Sequence, residues 1–227
     1  MGSQHRPLEP FKTACAIFLV SRCHLVRPPL PSSHHLFNLD SFLTLLTAPT
    51  PLPLPGAGYT LRHVAVGRGI QNYTCTTAAA TEKPVAIGAI ASLFNATCTA
   101  VRAPSILADV TALALDYAVP TSEIAQQMLS GHHEFTKDGA PLFVLETELH
   151  NYGFIQAAKN ASSDAPATAS KGTNQLGSVT WLKLTGTAGQ FKEVYRLNTA
   201  GGVAPKTCEG ISGPISVPYA AEYWFYA

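Results

Sequence analysis

Val179-Thr180-Trp181-Leu182-Lys183-Leu184, then Thr185-Gly186-Thr187-Ala188-Gly189-Gln190, then Glu193-Val194-Tyr195-Arg196-Leu197, is the stretch that decides the fold class. The outer two segments are short and rich in β-branched and aromatic residues, which suit a half-buried pleated surface. The segment between them is short and Gly-rich, so it predicts a hairpin joining two antiparallel strands. The same pattern recurs on either side. Leu61–Val66 sets Leu61, His63 and Ala65 against Arg62, Val64 and Val66. Gly67-Arg68-Gly69 reads as a break, and Ile70–Cys75 resumes with Ile70, Asn72 and Thr74 opposite Gln71, Tyr73 and Cys75. Val85–Phe94, Leu142–Thr147 and Ala221–Tyr226 are three further apolar runs of strand length. The prediction is a mainly β domain of at least about six antiparallel strands, arranged as a sandwich or a barrel-like sheet.

One region departs from this pattern. Ile106, Leu107, Val110, Leu113, Ala114 and Tyr117 fall at helical spacing. Pro120-Thr121-Ser122-Glu123 offers a capping hydroxyl and an acid for the positive end of a helix dipole. Gly131 can end the short helix that Gln126, Gln127 and Met128 suit. One or two short helices are therefore placed near 104–130. Residues 157–177, rich in Ala, Ser, Thr, Asn and Lys without apolar period, read as a mobile loop.

Composition bounds the partners. Fifteen Lys and Arg against fourteen Asp and Glu leave a net charge of +1, which argues against a nucleic-acid binder or an anionic-membrane binder. Charged residues are 13% of the chain, about half the ~25% usual in soluble domains. No apolar run reaches the ~18–20 residues of a spanning helix. Residues 1–48 read as an N-terminal leader of unusual form or a disordered tail. Residues 49–58, which open with Pro49-Thr50-Pro51-Leu52-Pro53-Leu54-Pro55-Gly56, read as an extended Pro-rich linker. A single β-rich domain is placed at 59–227.

Three N-glycosylation sequons, at Asn72, Asn95 and Asn160, combine with the low charge to favour a secreted, extracellular protein. Of the five cysteines, Cys75, Cys98 and Cys208 fall within the domain. They allow three single pairings and none makes a zinc motif.

The catalytic motifs are missing or incomplete. Gly56-Ala57-Gly58, Gly67-Arg68-Gly69 and Gly201-Gly202 all lack the third glycine of a dinucleotide fingerprint. No cofactor is expected and no catalytic set is assigned. His132 and Glu134 in Gly131-His132-His133-Glu134-Phe135 would share one face of a strand, where His63 or His150 could complete a metal site. The plainer reading of that segment is a polar turn. Tyr219, Tyr223, Trp224, Phe225 and Tyr226 read as a core strand rather than a sugar-stacking platform.

Five segments in order carry a family resemblance across residues 60–227. Gly67-Arg68-Gly69-Ile70-Gln71-Asn72-Tyr73-Thr74-Cys75 resembles an opening G-x-Q-x-Y-x-C, and Gly131–Phe135 a G-x-H-x-F/Y segment. Val179–Leu184 resembles a W-L-x-L strand, and Arg196–Pro205 an R-x-x-T-x-G-G-x-A-P segment. Val217–Tyr226 resembles a closing V-P-Y-x-A-x-Y-x-F-Y. These are segments of a family of uncharacterised domains found in fungi and bacteria, whose fungal members are often labelled malate dehydrogenase. The resemblance implies an exported, mostly β domain with a disulfide between Cys75 and Cys208, leaving Cys98 buried or paired elsewhere.

Three functions are carried forward. The first is a secreted binding or structural module at a cell surface or wall. The second is an oxidoreductase, as the family label has it, and the third an extracellular metal-dependent hydrolase. The ligand is not legible.

Overall fold

The structure is a computed structural model that describes residues 47–227. The leader assigned to 1–48 lies almost wholly outside the described residues. Eight strands run in chain order: β1 Leu61–Cys75, β2 Val85–Asn95, β3 Leu129–Phe135, β4 Pro141–Glu146, β5 Asn151–Ser163, β6 Trp181–Gly189, β7 Glu193–Gly201 and β8 Gly213–Tyr226. Each pairs antiparallel with its predecessor, and β8 closes on β1, from Leu61↔Tyr226 to Cys75↔Gly213. The result is a closed up-and-down barrel, so of the two forms anticipated it is the barrel that forms. Three helices, α1 Thr97–Arg102, α2 Pro104–Leu115 and α3 Glu123–Met128, fill the β2–β3 connection. Pro104 opens α2, and the Ser122 hydroxyl accepts from the Ala125 amide to cap α3.

An eight-stranded barrel is just wide enough inside for side chains to fill. Here Phe143 and Leu145 of β4, Ile155 of β5, Val194 of β7 and Tyr219, Tyr223 and Phe225 of β8 form that filling. The rings pack at 5.1 Å (Phe143–Tyr223), 5.6 Å (Phe143–Phe225) and 5.4 Å (Phe191–Phe225) between centroids. A second apolar layer covers part of the outside: Val64, Val66, Leu107, Trp181, Tyr195, Leu197 and Trp224. β8 is therefore buried on both faces, which is why its last residues read as an unbroken aromatic run rather than an alternation. Arg68 Nε donates to the Ala114 carbonyl at 2.9 Å and ties the end of α2 to the barrel wall.

The Pro-rich segment has no regular structure, and it lies against the barrel. Leu52 is buried in the outer layer. Tyr195 Oη donates to the Pro53 carbonyl at 2.8 Å, and Lys183 Nζ to the Leu54 carbonyl at 2.7 Å. Beneath it Lys183 and Glu193 form a buried ion pair at 2.8 Å. Thr50 N donates to Ser163 Oγ at 3.0 Å.

Four sequence expectations need correction. The Gly-rich segment 185–190 read as the hairpin turn is largely strand: β6 runs on to Gly189, paired with β5, and the chain turns at 190–192. Gly67-Arg68-Gly69 does not break a strand, since β1 runs through it. A Cβ on Gly67 would stand 2.5 Å from the Tyr223 ring, and one on Gly69 1.9 Å from the Ile90 carbonyl oxygen. These glycines make room for barrel filling rather than a turn. The polar turn expected at 131–135 is strand β3, which follows α3 directly. The loop expected at 157–177 begins as strand: β5 continues to Ser163 across two register shifts. Its inward positions are small, such as Ala157, so no apolar period marks it. The remainder is tied down, with Ser178 Oγ donating to the Thr199 carbonyl at 3.0 Å and Gly201 N to the Ser170 carbonyl at 2.9 Å.

Cys75 and Cys208 are joined by a disulfide with Cα atoms 5.7 Å apart, across a sequence separation of 133. The bridge fixes the end of β1 to the loop that leads into β8. Cys98 is disulfide-bonded too.

Candidate functional site

The inward positions near the Cys75 end of the barrel are polar. On β1 the alternation places Gln71 and Tyr73 on the inner face, after Ala65, Gly67 and Gly69. Tyr219 and Tyr223 come from β8, Arg196 from β7 and His133 from β3. Arg196 pairs in register with Tyr223 and Leu182, and its charge acts on Tyr73, His133, Tyr219 and Tyr223 alike. Arg196 therefore faces the same interior as these four side chains. Its Nε and Nη2 donate to the Thr180 carbonyl at 3.1 and 2.8 Å, and Nη2 also lies 3.4 Å from Thr180 Oγ1. Among the described residues no carboxylate lies within ion-pair distance of Arg196; the two ion pairs there are His132–Glu134 and Lys183–Glu193.

The neighbours complete a small network. The Tyr219 and Tyr223 hydroxyls meet at 2.9 Å. Tyr73 Oη donates to the Gly202 carbonyl at 2.7 Å. A Cβ on Gly202 would stand 2.9 Å from Tyr219 Cβ and 3.2 Å from Gln71 Cγ, so Gln71 lies beside this loop. Gly202, at φ 94°, takes a conformation glycine adopts without strain and lets the loop close on the network. Gln71 Nε2 is buried without a hydrogen-bond partner. His133 is buried, stacked on Phe143 at 4.1 Å, and its Nδ1 lies 2.9 Å from the Leu142 carbonyl. That contact puts the proton on Nδ1, and burial holds the ring neutral by lowering its pKa to about 4.

The residues singled out for metal binding do not come together as a triad. His132 and Glu134 share the outer face of β3, with His132 Nε2 3.9 Å from Glu134 Oε1. His63 is buried on β1, with Nε2 2.8 Å from Ser130 Oγ and its ring stacked on Tyr152 at 4.5 Å. Burial first, then the charge of His150, lowers its pKa to about 4. His150 keeps its Nε2 on the Gln127 carbonyl at 3.1 Å. No group of three or more metal-ligating side chains exists among the described residues. The His132–Glu134 pair instead borders an outer groove of about 510 Å³, lined also by Arg68, Ile90, Ser92 and Val119.

The sequon asparagines differ in exposure. Asn160 is exposed on β5, with Nδ2 donating to Thr185 Oγ1 at 3.0 Å. Asn72 accepts from Ser216 Oγ at 2.8 Å, and the Asn95 side chain bonds Thr97 N and Tyr152 Oη. The C-terminal aromatics are core, with Tyr219, Tyr223, Trp224, Phe225 and Tyr226 all buried. Among the described residues no helix is long and apolar enough to cross a membrane.

Residue-level sequence reading did not single out Arg196, Gln71 or the tyrosine pair as a site. Their signal was present in the segments that carry the family resemblance: the Q and Y of the first, the R of the fourth and the first two of the three Y of the last. Only barrel closure brings those segments together.

No curated protein and no solved structure shows a significant match to this chain. The family model described as "Protein of unknown function (DUF3455)" matches residues 55–227, from the docked Pro-rich segment to the C-terminus. The chain is therefore a member of the DUF3455 family of proteins of unknown function.

Proposed function

We propose that this chain is an exported domain that binds a ligand or serves a structural role outside the cell, at the surface or the wall, without turning a substrate over. The observation that carries the reading is the polar inner end of the disulfide-locked barrel. There Arg196, Gln71, Tyr73, Tyr219 and Tyr223 occupy inward positions of β1, β7 and β8, and the Cys75–Cys208 bridge ties the end of β1 to the loop that leads into β8. Disulfides persist in oxidising compartments, and the exposed Asn160 sequon suits a secreted chain. A network held by packed strands is preorganised, which favours binding by lowering its ordering cost.

Expression of the full chain with a C-terminal tag in a eukaryotic secretory host tests export. The expected result is protein in the medium, with the bridge intact on a non-reducing peptide map and glycan on Asn160. Full retention inside the cell with free thiols would refute the reading. The oxidoreductase alternative predicts a change of NADH fluorescence on titration with the purified chain. The hydrolase alternative predicts stoichiometric metal in protein purified without added metal. Neither signal is expected.

A further inference from the structure

Hydrogen-bond accounting at the inner end of the barrel leaves donors in excess. Arg196 brings five N–H groups on a planar fork; Nε and Nη2 are directed to the Thr180 carbonyl and hydroxyl, and these bonds leave the Nη1 side of the fork uncommitted. Tyr219 and Tyr223 bring two O–H donors, and their mutual bond uses one of them. Gln71 Nε2 brings two more N–H groups and is buried without a partner. The nearby Gly202 carbonyl already accepts from Tyr73. Buried donors are ordinarily satisfied, so Gln71 Nε2, the buried donor left over in this cluster, marks a place where something else accepts. The cluster also carries a positive charge with no carboxylate at ion-pair distance among the described residues. An arginine fork donates best to two coplanar oxygens, and charge-assisted bonds of that kind are the strong ones. The wall beside it is aromatic: Phe135, part-exposed at the barrel end, packs at 5.3 Å from the His133 ring, and Phe143 stacks beneath that ring.

We infer that the Cys75 end of the barrel is a binding site for a small organic carboxylate, held by the Arg196 fork and the Gln71 side-chain amide with its body against the aromatic wall. This rests on the binding reading proposed above and names its ligand class. The guanidinium reaches solvent, since Arg196 is only half-buried and its bonds to Thr180 lie at the surface, so a ligand can enter without opening the barrel. The neutral His133 adds no second cation, so the site suits a single negative charge.

The test is a titration of the full, oxidised chain with benzoate, acetate and benzyl alcohol at constant ionic strength. It is followed by NMR of the Arg196 Nε–H and Gln71 side-chain amide resonances. The expected result is saturable shifts of both signals with benzoate and with acetate, and none with benzyl alcohol. Arg196→Gln should weaken benzoate binding at least ~10-fold, since it removes a charge-assisted pair of bonds. Gln71→Leu, which keeps the cation and removes the orphaned amide, should weaken it by a smaller factor while the shift at Arg196 persists. Both variants are checked for the intact disulfide and the wild-type amide spectrum away from the site. No saturable shift, equal affinity in the Arg196→Gln variant, or shifts confined to the outer groove at His132 and Ser92 would each overturn the assignment. A chain that is secreted but fails this titration refutes the carboxylate site and leaves the export reading standing, so the two fail separately.

Discussion

Glu222 should make stability fall as pH rises towards neutrality, and replacing it by glutamine should remove that fall. Its carboxylate is almost fully buried on the outer face of β8, between Val66 of β1 and Leu197 of β7. Burial raises its pKa from 4.5 to about 7, against the opposing pull of the Asn198 Nδ2 and Trp224 Nε1 hydrogen bonds at 2.7 Å each. A raised folded pKa means the native state holds the proton that the unfolded chain releases. The stabilisation is complete below pH 4.5 and is lost as pH rises through about 7. At about 1.4 kcal/mol per pH unit, the gap between those values amounts to roughly 3 kcal/mol. His63 and His133 act in the opposite sense. Their pKa values are lowered to about 4, so their contribution is present above 6.5 and lost as pH falls towards 4. The wild-type profile therefore mixes both signs, and the informative quantity is the difference between wild type and Glu222→Gln, in which the histidines cancel. Urea unfolding of the two oxidised proteins at intervals from pH 4.5 to 8 measures it. The stability of wild type relative to the variant should drop by roughly 3 kcal/mol across that range, whatever constant offset the lost hydrogen bond adds. A difference that stays flat within about 0.5 kcal/mol would show that Glu222 is ionised throughout, and that the burial argument fails.

Lys183→Met should cost about 3–5 kcal/mol by leaving Glu193 buried without its cation, and Lys183→Met with Glu193→Leu should recover most of it; thermal melts of the three proteins decide the point. Reducing the Cys75–Cys208 bridge removes a constraint across a sequence separation of 133, worth about 4–5 kcal/mol in the chain-entropy model. Urea midpoints of the oxidised wild type and of the oxidised Cys75→Ala, Cys208→Ala double variant, which keeps the Cys98 disulfide, give the size, and an unchanged midpoint counts against it. Gly131→Ala should destabilise by more than about 3 kcal/mol, because φ is 150° there and the new Cβ would stand 1.9 Å from the Val144 carbonyl oxygen. A soluble variant melting within a degree or two of wild type would disprove the close packing of β3 on β4.

Local pattern alone determined the class of this fold and most of its strands. The β-branched and aromatic runs at 61–66, 179–184 and 193–197 and the helical spacing from Ile106 to Tyr117 each express a preference readable within a dozen residues. Where that reading missed, the deciding interaction was distant in sequence. Gly67 and Gly69 look like a turn until Tyr223 and the β2 backbone occupy the space their side chains would need. The second half of β5 looks like a loop because a barrel wall accepts Ala where a sandwich would want Val or Leu. The Pro-rich stretch looks like a free stalk until Tyr195 and Lys183 offer donors to its carbonyls. The candidate site follows the same logic. Alternation places Gln71 and Tyr73 on one face of β1, but nothing local says that β1 pairs with β8, or that Arg196 of β7 reaches the same end. Those partners are set by barrel closure, a long-range pairing paid for by the buried rings of the interior. Sequence thus determined the strands and their inward positions, and only the closed barrel decided which of those positions share one interior.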